Sequence, residues 1–155
     1  MTVRTGDKAP EFDFEVKHGE RVKLSDFLGR SNVLLVFHPF AFTAVCEEEA
    51  RDLQENLAAF RNARTEIVLV SCDPAPARQA WKQQIGAEYT FASDFWPHGA
   101  GAKAYGVFNE LKGAPHRGTF LIDTDGTVIW SLVNLMDERR TEMVTDSLET
   151  LEAQA

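Results

Sequence analysis

The chain has 155 residues, 44% of them hydrophobic and 26% charged, with a formal net charge of −8. That size and balance predict one globular domain, 1–155, with a buried core, and the acidic excess argues against nucleic acid or an anionic membrane as partner. The start of the chain lacks the apolar stretch of a secretory signal, and no apolar run reaches membrane-spanning length. The expectation is therefore a cytoplasmic protein whose two cysteines, Cys46 and Cys72, rest as thiols.

In chain order, Phe12, Phe14 and Val16, then Gly19, Val22 and Leu24, predict a small hairpin added to a larger sheet. Asn32–Phe37 is a continuous apolar run, as expected of a strand buried on both faces. After Cys46, the residues Ala50, Leu53, Leu57 and Phe60 fall on one helical face and predict a helix over roughly 46–61. Glu66–Ser71 reads as a second buried strand. Pro74 or Pro76 opens a helix carrying Trp81 and Ile85. A short strand is expected at Phe91–Ala92 and a short helix at 100–105. Gly118–Ile122 and Thr127–Leu132 flank Asp123-Thr124-Asp125-Gly126, a hairpin signal. A last helix, about 138–151, is expected to bury Val144, Leu148 and Leu151. This order predicts an α/β fold. A helix of about 15 residues runs roughly 22 Å away, and the next strand returns about 20 Å. Cys72 and the strand start near Arg117 are thereby expected at the same end of the molecule as Cys46.

Cys46 is the strongest candidate for chemistry. It stands where a strand ends and a helix begins, so unpaired N–H groups and the helix dipole favour its thiolate. Glu47, Glu48 and Glu49 oppose that ionisation, so a cation is needed. Arg117, in His116-Arg117-Gly118-Thr119-Phe120, is the candidate, and Glu49 could hold its guanidinium. Glu49 could equally be a helix-start carboxylate serving the dipole. Thr43 can cap the helix and offer its oxygen to a substrate. Pro39 can end the strand and shield the sulfur. Ionising a thiol of pKa about 8.5 gains only about 30-fold at pH 7, roughly 2 kcal/mol. Groups that align a bond and stabilise a departing oxygen must supply the rest. Thr43, Arg117 and the Cys46 N–H are available for that.

Pro39-x-x-x-Thr43-x-x-Cys46 resembles the signature of the peroxiredoxins (AhpC/TSA superfamily), thiol peroxidases of the thioredoxin fold. The resemblance spans about residues 3–152, through Ala9-Pro10-Glu11-Phe12, Leu24-Ser25-Asp26-Phe27, Ser93-Asp94, Ala104-Tyr105-Gly106-Val107 and the segment from Arg117 to Gly126. It implies a thioredoxin-like fold, a central mixed sheet flanked by helices with an N-terminal hairpin extension. It also implies that Arg117 completes the site, and that no cofactor is needed. Ser93–Ala100 and Tyr105–Glu110 look most like the AhpE-type one-cysteine peroxiredoxins of actinobacteria. The resemblance implies hydrogen peroxide and organic hydroperoxides as substrates, with peroxynitrite left open and the preferred one not readable from the sequence. The AhpE-type resemblance further implies reduction through mycothiol and a mycoredoxin-like partner, with a thioredoxin-like reductant left open, and a homodimer.

Other readings stay open. Cys72 follows the parity of Val68 and Val70, as a buried strand-end thiol would. It could instead resolve the Cys46 sulfenic acid as a Cys46–Cys72 disulfide, which requires Cα atoms within about 7 Å. The same reactive cysteine could serve a non-catalytic redox sensor or holdase, and a cysteine hydrolase would need a general base that only His116 offers. His38, Phe42 and Trp96 are candidates for the pocket wall, with core or surface roles the commoner fate. The histidines have no metal-ligand spacing, Gly99–Ala104 lacks the strand a dinucleotide loop needs, and Asp123–Gly126 lacks the other ligands of a calcium loop.

Overall fold

The computed structural model describes residues 1–154. Its strands are β1 (Asp13–Lys17), β2 (Glu20–Lys23), β3 (Asn32–Phe37), β4 (Thr65–Ser71), β5 (Thr90–Ser93), β6 (Phe108–Asn109), β7 (Ala114–Pro115), β8 (Arg117–Ile122) and β9 (Val128–Asn134). Its helices are α1 (Ala44–Glu55), α2 (Leu57–Asn62), α3 (Ala75–Ile85), α4 (Ala100–Ala104) and α5 (Met143–Gln154). Seven strands form one mixed sheet in the order β2-β1-β5-β4-β3-β8-β9, and β6 and β7 pair separately. The structure is the expected mixed α/β sheet flanked by helices, a thioredoxin-like fold, with the N-terminal hairpin joined to β5.

The central strands are parallel, with Phe37 level with Val70 and Ser71 level with Ser93. Their C-terminal ends therefore lie together. β8 runs antiparallel to β3, so its start at Arg117 comes to the same end. Alternation along each strand divides the core in two. Leu34, Val36, Ile67, Leu69, Phe91 and Leu121 pack on one face with Cys46, Leu53, Phe60 and Trp81. Leu35, Phe37, Val68, Val70, Phe120 and Ile122 pack on the other with Phe12, Phe14, Ala102 and Tyr105. Each such aliphatic side chain contributes roughly 1.5–3 kcal/mol when fully buried. The turn after β8 is held by Asp123, whose Oδ1 accepts from the Asp125 and Thr127 N–H groups. Gly126 there has φ +86°, a conformation that disfavours a side chain.

Three expectations about elements need correction. The helix predicted over 46–61 begins two residues earlier and divides at Asn56, whose φ of −106° and ψ of 9° break the helical run. The last helix begins at Met143 rather than near 138. The preceding residues are instead drawn to α1, with Arg140 N donating to Glu49 Oε2 at 2.7 Å. Of the residues expected on its buried face, Leu151 is buried while Val144 and Leu148 are half-buried, because Met143 and Ser147 take the inner positions. Among the described residues no helix is long and apolar enough to cross a membrane.

Candidate active site

The loop between β3 and α1 is anchored from both sides. Pro39 is buried as the chain leaves β3. Ala41 N donates to Asp73 Oδ2 at 2.8 Å, and Ser71 Oγ donates to the same oxygen at 2.5 Å. Phe42 then takes a left-handed φ of 64° while its ring approaches Trp81, with centroids 6.3 Å apart. Non-glycine residues seldom adopt that backbone. Here the anchored amide on one side and the helix on the other impose it.

Thr43 occupies the N-cap position of α1, and its carbonyl accepts the first helical bond from Glu47 N at 2.8 Å. Its hydroxyl does not cap, contrary to expectation. Oγ1 donates back to Phe40 O at 2.8 Å instead. With its proton committed there, the exposed oxygen has lone pairs left to accept a bond. Cys46 is the third residue of α1, so its N–H belongs to the first turn that lacks intrahelical partners. The residue is 2% exposed and packs on the α1 face of the core.

Glu49 lies one turn after Cys46 on the same buried face. Its carboxylate gathers two guanidinium groups. Arg117 Nη1 donates to Oε1 at 2.6 Å, and Arg140 Nη2 donates to the same oxygen at 2.7 Å. Arg140 Nε reaches Oε2 at 3.0 Å, and Arg140 Nη1 continues to Thr119 Oγ1 at 2.8 Å. Arg117 Nε is fixed by Met136 O at 2.7 Å. No protein acceptor among the described residues engages Arg117 Nη2, which leaves a charged donor for a ligand. Burial works to raise the Glu49 carboxyl, but hydrogen bonds and charge from Arg140, with the charge of Arg117, hold it below the usual carboxylate range. Glu49 was expected to steady Arg117, and the distances fit that role. Arg140 and Asp73 had no signal in the sequence. Neither sits in a motif, and Arg140 meets Glu49 across 91 positions.

The remaining candidates fall elsewhere. His38 is 1% exposed, under the loop rather than on an open wall, and stacks against Trp81 with centroids 5.1 Å apart. Burial, then the charges of Arg78, Arg140 and Arg117, push its pKa well below 6.5. Trp96 is 78% exposed in the loop after β5 and stays outside the buried cluster. Cys72 is 6% exposed just beyond β4, at the expected end of the sheet. It lies one residue past β4, and its neighbours Asp94, Gly99 and Lys103 belong to the segment around α4, whose Ala102 packs in the core cluster that does not hold Cys46. Burial, then the charges of Asp94 and Asp73, push the Cys72 thiol up to about 12. Both cysteines are free thiols. Among the described residues no group of His, Cys, Asp or Glu is arranged to hold a metal ion.

Comparison with known proteins agrees with this architecture. Residues 5–131 match the model of the AhpC/TSA family. Alkyl hydroperoxide reductase E of Mycobacterium tuberculosis is 38% identical over 152 residues, spanning 97% of this chain and 99% of that one. Peroxidoxin BcpB of the same organism superimposes with a TM-score of 0.86 at 30% identity, covering 98% of both chains. The reduced 2-Cys peroxiredoxin of Plasmodium vivax gives a TM-score of 0.86 at 31% identity, covering 98% of this chain and 82% of that one. Carried by sequence along most of its length and by backbone along nearly all of it, this chain belongs to the AhpC/TSA family and is an enzyme, a thiol peroxidase of the peroxiredoxin type.

Proposed function

We propose that Cys46 is the attacking thiol and that this single domain reduces hydroperoxides with one reactive cysteine. The Cys46 thiolate attacks the nearer peroxide oxygen, and the O–O bond breaks. The attacked oxygen keeps its hydrogen, so the sulfur becomes a sulfenic acid, and the other oxygen leaves as hydroxide or alkoxide and takes a proton from solvent to give water or an alcohol. Thr43 Oγ1 accepts a hydrogen bond from the O–H of the hydroperoxide, while Arg117 Nη2 and the Cys46 N–H hold the oxygens in line and stabilise the departing charge. Pro39 keeps water from the sulfenic acid. The observation that carries this reading is the Arg117–Glu49–Arg140 network, which holds the Arg117 guanidinium on a carboxylate one helical turn after a helix-start thiol.

Recycling falls to an external thiol, a mycothiol and mycoredoxin-like system or a thioredoxin-like protein, in the cytoplasm. Two observations support this over an internal disulfide: Cys72 sits among Asp94, Gly99 and Lys103 around α4 rather than in the core cluster of Cys46, and its thiol resists ionisation. The similarity to alkyl hydroperoxide reductase E supports organic hydroperoxides as well as hydrogen peroxide among the substrates. Phe40, Phe42, Phe95 and Trp96 are exposed on the loops at the site end of the sheet, and such an aromatic surface suits a homodimer contact. Intact-mass analysis after one equivalent of peroxide, with a sulfenic-acid trap, tests the scheme. A trapped adduct on Cys46 is expected. A Cys46–Cys72 disulfide, lost in Cys72→Ser, would replace it with a two-cysteine cycle, and oxidation without thiol-driven turnover would leave a sensor.

A further inference from the structure

One buried charge takes no part in this chemistry. Arg78, on α3, is fully buried, and among the described residues it has no carboxylate within salt-bridge distance. Its guanidinium instead ties three strands together. Nε donates to Ala92 O on β5 at 2.9 Å, Nη2 donates to Leu69 O on β4 at 2.7 Å, and Nη1 meets Nε2 of His38, just past β3, at 2.5 Å. The Cζ atom stands 5.5 Å from the Trp81 ring and 5.2 Å from the Phe91 ring. Carbonyls and ring faces solvate the charge without cancelling it. A buried cation lacking a counter-ion is costly, and an apolar side chain of similar length would fit such a site more cheaply.

The contact with His38 has a chemical consequence. A guanidinium only donates, so His38 Nε2 must accept, and the neutral ring must carry its proton on Nδ1. That Nδ1 is buried without a hydrogen bond of good geometry, although the Phe40 carbonyl lies close enough to favour its proton slightly. His38 immediately precedes Pro39. By strand parity with Leu34 and Val36 it points to the same face as Cys46. The charges around this position come from every neighbouring element. Arg117 on β8 and Arg140 before α5 are shared by Glu49 on α1, while Asp73 after β4, Tyr89 before β5 and both Cys46 and Cys72 bear on Arg78. Arg117 and Arg140 with Glu49 sum to one net positive charge. Arg78 adds a second that nothing in direct contact neutralises.

We propose that Arg78 is a positioning residue of the peroxidase site, fixing the root of the Pro39–Cys46 loop through His38 and holding its positive charge beside the Trp81 and Phe91 rings, in the same core cluster as Cys46. This rests on Cys46 being the attacking thiol. It answers the opposition of the three successive glutamates, since the net charge on the inner face of α1 is then positive. It also gives a reason for a histidine directly before Pro39, where a purely apolar residue would continue the strand.

The test is the pH profile of Cys46 alkylation by iodoacetamide, read on the Cys46 peptide by mass, alongside steady-state peroxide kinetics. For Arg78→Met the profile should move upward by about one unit, and kcat/KM for hydrogen peroxide should fall roughly tenfold. Arg78→Lys, which restores the charge, should recover part of both. A structural residue would lower the melting temperature and leave the profile in place. A folded Arg78→Met with the wild-type profile and rate overturns the proposal. If Arg78→Met does not fold, His38→Phe decides. It keeps the cation but removes its acceptor, and should lower kcat/KM roughly three- to tenfold with a smaller shift of the profile. Unchanged kinetics in that variant also overturn the proposal. Wild-type protein run with the sulfenic-acid trap is the control, and a missing adduct there counts against Cys46 itself rather than against Arg78.

Discussion

Cys46 and Cys72 lie at the same end of one sheet and are buried alike, 2% and 6% exposed, but Cys46 packs in the core cluster of α1 while Cys72 sits among the acidic groups around α4. In the surroundings of Cys46, Arg117 and Arg140 share one buried carboxylate, Glu49, and Arg78 adds a charge with no carboxylate in contact. Cys72 has Asp94 and Asp73 as its charged neighbours of greatest effect. Burial alone disfavours any thiolate. The contrast teaches that position at the end of a sheet brings a cysteine to a site, while the charges around it decide whether it can react there. A thiol held near 12 is ionised in about one molecule in 10⁵ at pH 7.

Substitutions at each thiol and at its neighbours can break or sharpen this contrast. The largest effect belongs to Cys46→Ser, which should lower peroxide turnover by at least about 10³-fold because the nucleophile is gone. Peroxide consumption with a thiol reductant measures it, and a milder loss would move the chemistry away from Cys46. Glu49→Ala comes next. Removing one partner of a buried ion pair costs about 3–5 kcal/mol, and here two guanidinium groups lose their common acceptor. Urea unfolding should show that loss, and a change below about 1 kcal/mol would contradict the network. For Arg117→Met, the loss of a fixed charged donor should lower kcat/KM roughly 10²-fold with little effect on peptide fold, read by circular dichroism.

A smaller effect is set by His38. Its folded pKa lies below the unfolded value of 6.5, so below pH 6.5 the unfolded chain binds a proton that the native ring refuses. The native state is therefore favoured fully above pH 6.5 and loses stability as pH falls, by at most about 1.4 kcal/mol per unit. His38→Phe should flatten the slope of unfolding free energy between pH 7.5 and 5.5 by up to that amount. An unaltered slope would place the ring in contact with water. The smallest effect is expected from Cys72→Ser, which should change peroxide turnover by less than about twofold. A loss of tenfold or more would show that the two thiols communicate through a disulfide.

The elements differ in how far their residues announced them. β3 and β4 were legible because strands buried on both faces are continuous apolar runs, and β8 and β9 because an Asp-Gly turn separates them. The break at Asn56 was hidden, since Leu53, Leu57 and Phe60 keep a helical spacing across it. The pair β6 and β7 has only two residues in each strand, too few to make a pattern. Thr43 was placed correctly at the start of α1, but the direction of its hydroxyl was not foreseeable. Phe40 O and the helical N–H groups compete for it, and the bend at Phe42 settles the competition.

By itself the sequence determined the α/β order, the helix-start thiol and its accompanying proline, threonine and arginine. These depend on local spacing and on periodicities of two and about four residues, which are written along the chain. Only the tertiary structure decided the rest. It joined Glu49 to Arg140 across 91 positions and His38 to Arg78 across 40. It tied Ala41 to Asp73, and it gave Cys72 the neighbours Asp94, Gly99 and Lys103 in place of the core cluster that holds Cys46. Such links have no local signature. A buried charge declares its role only when its partners, or their absence, can be seen.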